Sequence, residues 1–156
     1  MKKLLICMVM ATMAVCANAQ ITWNVRAGAG IQQALDYYYA ETEFSSSLII
    51  ETNIPFAKSS SFTFSPAISA AYNLEDDITA SALLHFGYKI PIAQNTLFCP
   101  KIGPMIGFQS TGDFLFGPSI ELPFEINRIV VAANANVSLV NDDALFGAFL
   151  TVGYKF

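Results

Sequence analysis

Hydrophobic and polar residues alternate along most of the chain, in short segments separated by Asn, Asp, Ser, Gly and Pro. Period-two alternation over many short runs with turn residues between them is typical of β-strands in a barrel or sandwich. No segment shows a convincing helical period. The pattern predicts an all-β protein with eight antiparallel strands, at residues 21–33, 46–56, 62–74, 79–91, 97–109, 114–126, 129–140 and 145–156.

The third segment shows best how the two faces of a strand differ. Its one face holds bulky apolar residues and its other face small or polar ones: Phe62, Phe64, Pro66, Ile68, Ala70, Tyr72 and Leu74 against Thr63, Ser65, Ala67, Ser69, Ala71 and Asn73. Segments seven and eight repeat this contrast. Aromatic residues also gather near both ends of the segments, as in the aromatic girdles of membrane barrels.

Side-chain volume indicates which face points inward. An eight-stranded barrel is only wide enough to be filled by side chains, so bulky aromatics from every strand would overfill it. The small and polar face, which is rich in Gly, Ser, Thr and Asn, therefore faces the lumen. An apolar outer face is tolerable only in lipid. We therefore expect an eight-stranded antiparallel up-and-down transmembrane β-barrel with a polar, filled lumen.

The first 19 residues have the features of a signal peptide. Lys2 and Lys3 precede an apolar run at 4–17, and Ala17-Asn18-Ala19 is a small-x-small cleavage pattern. Lipidation at Cys16 fits less well, because Met13-Ala14-Val15 lacks the expected small residue before the cysteine. We predict a signal peptide at 1–19 and a barrel domain at 20–156, with no apolar run near the ~20 residues of a membrane helix.

Composition excludes several classes of protein. The domain at 20–156 has six basic residues against twelve acids, a net charge of −6, which argues against a nucleic-acid partner. Its only cysteine is Cys99, so neither an intramolecular disulfide nor a CxxC zinc site is expected.

Nine of the twelve acids fall in loops that meet at one end of such a barrel: Asp36, Glu41, Glu43, Glu75, Asp76, Asp77, Asp113, Asp142 and Asp143. The opposite turns carry Lys58 and Arg128 and no acid. With both termini in the periplasm, the acidic end faces outward. We interpret it as a hydrated rim that divalent cations bridge to lipopolysaccharide, since the acids lack the spacing of a dedicated calcium loop.

Seven charged or titratable residues share the lumen-facing parity: Arg26, Glu51, His85, Lys89, Lys101, Glu121 and Glu125. Buried charges must be paired, because an isolated one is very costly. Hairpin turns near 93–95 and 111–113 predict Lys89 opposite Lys101 and Lys101 close to Glu121. Arg26 and Glu51 are expected to pair across the first hairpin or through water. This polar network is expected to plug the lumen; an ion path is the alternative.

Catalytic chemistry has little support in the sequence. His85 is the single histidine, and Ser81 lies four residues away on the same extended strand, too far for a direct hydrogen bond. We therefore predict no catalytic, metal or cofactor site. The tyrosine-rich stretch inside the predicted loop 34–47 is a possible surface for a partner, or an anchor at the headgroups.

The leader, the eight alternating segments and the ending Val152-Gly153-Tyr154-Lys155-Phe156 resemble the small outer-membrane barrels of Gram-negative bacteria, of the OmpX and OmpA-transmembrane type. The segment 100–107 and the compact loops are more similar to porin-family barrels of the Bacteroidetes. The resemblance implies that Tyr154 and Phe156 are read by the barrel assembly machinery, and that the protein lies in outer-membrane lipid.

We expect a barrel with a structural or surface-interaction role in the outer membrane, a largely plugged lumen and no enzymatic activity. A narrow pore or small-solute binder is the first alternative, and a soluble exported barrel that binds an apolar ligand is the second. Five prolines inside the predicted segments depart from the family pattern, so we expect irregularity in strands five and six.

Overall fold

The computed structural model describes residues 21–35, 40–57, 59–74, 77–140 and 143–156. They form ten strand segments: β1 (Thr22–Leu35), β2 (Ala40–Pro55), β3 (Phe62–Asn73), β4 (Ile78–Tyr88), β5 (Ile90–Ala93), β6 (Thr96–Phe98), β7 (Lys101–Gln109), β8 (Phe114–Ile126), β9 (Ile129–Val140) and β10 (Asp143–Lys155). Within these residues no helix is long enough and apolar enough to cross a membrane. The predicted signal peptide lies outside them.

The ten segments make eight barrel strands, because two of the strands are interrupted. β4 and β5 form the fourth strand, and β6 and β7 form the fifth. Ile90↔Phe98 in β5–β6 keeps the register of Gly87↔Lys101 in β4–β7, and β8 pairs with both β6 and β7. Each strand is antiparallel to its neighbours, and β1 pairs with β10 to close the sheet. The predicted eight-stranded antiparallel barrel is confirmed.

The barrel has two ends, which we name by their contents. The terminal end holds the start of β1, the end of β10 and the turns after β2, β5 and β8. The loop end holds the connections after β1, β3, β7 and β9.

The predicted loop 34–47 is wrong for most of its length. β1 continues to Leu35 and β2 begins at Ala40, with these two residues opposite each other in the ladder. Alternation also continues into this stretch, since Ser45 is buried and Phe44 is 70% exposed. Only 36–39 connects the strands, and these residues lie outside the described ones.

The irregularity expected from the prolines is confined to the fourth and fifth barrel strands. Lys89 separates β4 from β5, and Cys99 and Pro100 separate β6 from β7. Backbone hydrogen bonds hold the ladder across the breaks, from Tyr88 N to Pro100 O at 3.2 Å and from Cys99 N to Pro123 O at 3.1 Å. The sixth barrel strand, β8, is continuous despite its two prolines, so the expectation of irregularity there is wrong.

Polar side chains face the lumen and bulky apolar side chains face outward, as the narrow lumen of an eight-stranded barrel predicts. Arg26, Lys101 and Glu121 are among the largest fully buried side chains, whereas Ile68 and Leu150 are 61% and 69% exposed. A water-soluble barrel would show the reverse distribution. The outer surface is therefore an apolar surface suited to lipid.

Glycines allow the closing seam between β1 and β10 to form. A Cβ on Gly28 would lie 1.9 Å from Leu150 O, and a Cβ on Gly30 would lie 2.0 Å from Ala148 O and 2.7 Å from Phe149 Cδ1. Only glycine permits such a close approach of backbones. At Gly30 the missing side chain also leaves room for the Phe149 ring inside the barrel.

Aromatic rings pair at both ends of the outer surface. Phe62 and Tyr88 form an edge-to-face pair at the terminal end, with centroids 4.9 Å apart. Phe108 and Phe114 form a similar pair at the loop end, at 5.3 Å. Amphipathic and aromatic side chains at these two levels fit the headgroup regions of a bilayer.

Candidate functional site in the lumen

Four charged side chains meet inside the barrel. Arg26 on β1 places Nη2 2.9 Å from Glu51 Oε2 and 2.8 Å from Glu121 Oε2. Lys101 Nζ contacts Glu51 Oε1 and lies 3.4 Å from Glu121 Oε1. These side chains are at most 1% exposed. Two cations and two anions thus alternate in a neutral group, which we call the charge cluster.

Neutral amides and hydroxyls surround the charge cluster. Asn24 Nδ2 donates to Glu51 Oε2 at 2.9 Å, and Lys101 Nζ donates to Asn53 Oδ1 at 3.0 Å. Ser65 Oγ donates to the same Asn53 oxygen at 2.8 Å. Buried ions need such partners for their remaining hydrogen-bonding atoms. The sequence analysis did not select Asn24 or Asn53, although both have lumen-facing parity.

The sequence expectations about Arg26, Glu51, Lys101 and Glu121 agree with this geometry, but the expectation about Lys89 does not. Gly87, and not Lys89, lies opposite Lys101. The turn lies where it was expected, but a register centred on residue 94 places Lys101 opposite Gly87. Lys89 is half-buried at the strand break and makes no ion pair with a described residue.

Glu125 is also separate from the charge cluster. It pairs with Lys155 near the terminal end, where the lysine side chain is 26% exposed. This pair therefore has access to water that the charge cluster lacks.

His85 is buried beside the charge cluster, with Nε2 3.1 Å from Ser119 Oγ. A serine and a histidine at this distance form half of a hydrolase triad. However, His85 Nδ1 has no hydrogen-bond partner among the described residues, so no carboxylate orients the imidazole. Both residues also face the lumen and are buried there. The predicted neighbour Ser81 is not the hydroxyl that contacts His85.

Glu51, His85 and Glu121 each place a potential metal-ligand atom within 4.8 Å of the others. Both carboxylates already accept hydrogen bonds from Arg26, and both lie next to Lys101. A divalent cation would be placed beside two positive side chains and would have to displace them. This arrangement favours internal ion pairing over metal binding.

An apolar layer fills the lumen on the loop-end side of the charge cluster. It consists of Ile49, Leu83, Met105, Leu115 and Phe149, all of them buried. These residues line a cavity of about 40 Å³ together with small polar side chains. A cavity of this size holds only a few water molecules. The sequence analysis expected a small and polar lumen and missed this layer.

Three described acids at the loop end bond to neutral groups, and a fourth, Asp143, is exposed at the start of β10. Ser110 Oγ donates to Asp77 Oδ1 at 2.8 Å, and Thr111 Oγ1 donates to Asp113 Oδ2 at 2.7 Å. Glu43 accepts a hydrogen bond from an asparagine on the neighbouring strand. The other predicted rim acids Asp36, Glu75, Asp76 and Asp142 lie outside the described residues, as does Lys58.

Tyr154 and Phe156, at the terminal end of β10, bond to the strands on either side while exposing their rings. Phe156 N donates to Trp23 O at 2.8 Å, and Arg128 Nη1 donates to the Tyr154 hydroxyl at 3.1 Å. The two rings make an edge-to-face contact at 5.1 Å and are 42% and 71% exposed. Both side chains therefore remain accessible on the outer surface.

Comparison with solved structures places this fold. Ail, the attachment invasion locus protein of Yersinia pestis in complex with the heparin analogue sucrose octasulfate, matches with a TM-score of 0.59 at 12% identity, over 87% of this chain and 99% of Ail. A second Ail structure matches with a TM-score of 0.57 at 13% identity, over 86% and 98%. Neisserial surface protein A matches with a TM-score of 0.60 at 12% identity, over 85% and 95%.

No protein-family model matches the chain, and no curated protein matches its sequence significantly. The structural likenesses establish the fold. Together with the apolar outer surface, they identify the chain as a transmembrane barrel with the fold of the small eight-stranded outer-membrane barrels of Gram-negative bacteria.

Proposed function

We propose that this chain is an integral outer-membrane barrel with a structural or surface-interaction role and a lumen closed to solutes. The observation that carries this proposal is the charge cluster. Arg26, Glu51, Lys101 and Glu121 cross-link four strands through the centre of the barrel and neutralise one another.

A paired cluster of this kind favours a plug over an ion path. Conduction requires binding sites that an ion can enter and leave, whereas each charge here already has a protein partner of opposite sign. An ion passing through would have to separate buried pairs without solvent to replace them. The five side chains of the apolar layer, which lies next along the lumen, offer an ion no ligands, and only neutral hydroxyl and amide side chains share this level with them.

We therefore expect the purified, folded protein to show no large, steady conductance in a planar bilayer. The comparison is the same bilayer with detergent alone, and folding is checked by heat-modifiable migration on a gel. Steady single-channel steps from the folded protein would contradict the plug and favour a narrow pore.

The orientation in this proposal puts the loop end outside the cell and the terminal end in the periplasm. The described loop-end acids then meet the lipopolysaccharide leaflet, whose phosphates they can approach only through divalent cations. The terminal end has the basic side chain of Arg128, and its acid Glu125 is paired with Lys155. This asymmetry supports contact between the acidic rim and cation-bridged lipid headgroups.

The negative charge of this rim limits which surface partners it can bind. The Ail structure contains a polysulfated heparin analogue, which requires positive charge on the protein. In this chain the basic residues at 20–156 lie in the lumen-facing set or in the terminal-end turns, and the loop-end connections contain none. A polyanion is therefore not the partner that this surface fits.

We expect no retention of the folded barrel on immobilised heparin at physiological ionic strength. A variant with Asp77→Lys and Asp113→Lys, two changes at described positions of the rim, is expected to gain weak, salt-sensitive retention. Retention of the unchanged protein that 0.5 M salt abolishes, a level at which exposed charges are largely screened, would contradict the charge argument.

Tyr154 and Phe156 have a separate role in the proposal, as the signal read by the barrel assembly machinery. Their outward exposure supports it, because a recognition element must be accessible before and during closure of the seam. The consequence of removing the terminal ring is considered below.

A further inference from the structure

The charge cluster and the apolar layer follow one another along the barrel axis. On each of four strands, one polar or charged residue and one apolar residue lie an even number of positions apart, so both side chains face the lumen. The apolar residue of each pair is the one nearer the loop end. Going towards the loop end, these pairs are Glu51 then Ile49, His85 then Leu83, Lys101 then Met105, and Glu121 then Leu115.

Burial and the small cavity of about 40 Å³ show that the apolar layer leaves little open space across the lumen. Leu115 is fully buried, and Ile49, Met105 and Leu83 are 4–5% exposed. These side chains come from both halves of the sheet order, and the Phe149 ring enters from the closing seam, opposite Gly30. Five strands thus contribute bulk to one level of the lumen.

We infer that the apolar layer is a second barrier to ions, in series with the charge cluster and independent of it. This inference rests on the closed lumen proposed above and adds a separate set of residues that closes it. The two levels act by different physics. The charge cluster blocks by paired ions, whereas the apolar layer blocks by excluding water, as hydrophobic constrictions do in channels.

The difference matters when the charge cluster is removed. Its surroundings are polar, with Asn24, Asn53 and Ser119 remaining, so the emptied space would fill with water. The five side chains of the apolar layer would still offer an ion no ligands. Only neutral hydroxyl and amide groups line the rest of this level, so an ion would still lose most of its hydration there. Neutralising the charges alone should therefore leave the barrel closed.

The test is a two-by-two comparison of folded variants in planar bilayers. The neutralised variant carries Arg26→Ala, Glu51→Ala, Lys101→Ala and Glu121→Ala. The layer variant carries Leu83→Ser, Met105→Ser and Phe149→Ser, and the combined variant carries all seven changes. A matched control adds Leu84→Ser, Ile106→Ser and Leu150→Ser to the neutralised variant, since these neighbours face outward.

We expect steady conductance from the combined variant and a closed bilayer from the neutralised variant and the matched control. Conductance of the neutralised variant equal to that of the combined variant would overturn the inference, as would a folded combined variant that stays closed. Conductance from the layer variant equal to that of the combined variant would support the apolar layer and contradict the charge cluster as a plug. Conductance from the unchanged protein would instead contradict the closed lumen itself.

Heat-modifiable migration identifies the variants that fold. If the combined variant does not fold, Met105→Ser alone on the neutralised background replaces it. Met105 lies at the centre of the layer and opposite Gly117, so its truncation opens space without touching the seam. The same outcomes then apply to this smaller change.

Discussion

Replacing Glu121 by alanine is expected to destabilise the barrel by about 3–5 kcal/mol, the usual cost of breaking a buried ion pair. Arg26 and Lys101 would keep only Glu51 as a shared partner, and one positive charge would remain uncompensated inside the lumen. Urea unfolding of the protein in lipid vesicles, followed by tryptophan fluorescence of Trp23, measures the change in the free energy of unfolding.

Glu125→Ala is the matched control, because Glu125 lies on the same strand and the same face of β8. Its partner Lys155 is partly exposed and can return to water, so a loss of about 1 kcal/mol or less is expected. Adding Lys101→Met to Glu121→Ala restores neutrality and should recover much of the lost stability. Equal losses for the Glu121 and Glu125 variants would show that burial of the charge cluster has little energetic weight.

Removing the terminal ring, by Phe156→Ala, is expected to leave most of the protein unassembled in cells while the purified chain still refolds into detergent. The Phe156 side chain is 71% exposed, so its loss from the folded barrel costs little packing. A large defect in cells alone therefore has to come from recognition during assembly. The measurement is the heat-modifiable fraction in isolated outer membranes, compared with refolding yield in vitro.

Phe108→Ala is the matched control for this variant. Phe108 forms an edge-to-face pair with Phe114 at 5.3 Å, much like the Tyr154–Phe156 pair at 5.1 Å, but at the loop end. It should assemble normally, and Phe156→Tyr should assemble nearly as well as the unchanged protein. Normal assembly of Phe156→Ala would remove the basis for the proposed signal.

Much of the fold can be predicted from the sequence, because successive residues of a strand alternate between its two faces and the sequence shows this alternation directly. Alternation in stretches such as 62–73 determines which side chains share a face, and the volume of an eight-stranded lumen determines which face is inside. Arg26 and Glu51 lie on neighbouring strands of the first hairpin, two positions apart in the ladder, and Lys101 lies directly opposite Glu121.

Two features of the lumen differ from what the sequence predicts. Lys89 does not lie opposite Lys101, because the observed register is centred on residue 94 and places Gly87 there. The inward Phe149 was missed because a volume argument treats each strand alone. Its ring fits only because Gly30, distant in sequence, lies opposite it without a side chain.

The closing seam also has a topological consequence. Asn24 pairs with Lys155, so the first and last strands end side by side at the same end of the barrel. A short linker between them and a new opening at the turn between β8 and β9 would give a circular permutant that retains the other strand pairings. Phe156 would then lie within the chain. Such a permutant would show whether assembly depends only on closure of the sheet, which has no first strand, or also on a signal that must be synthesised last.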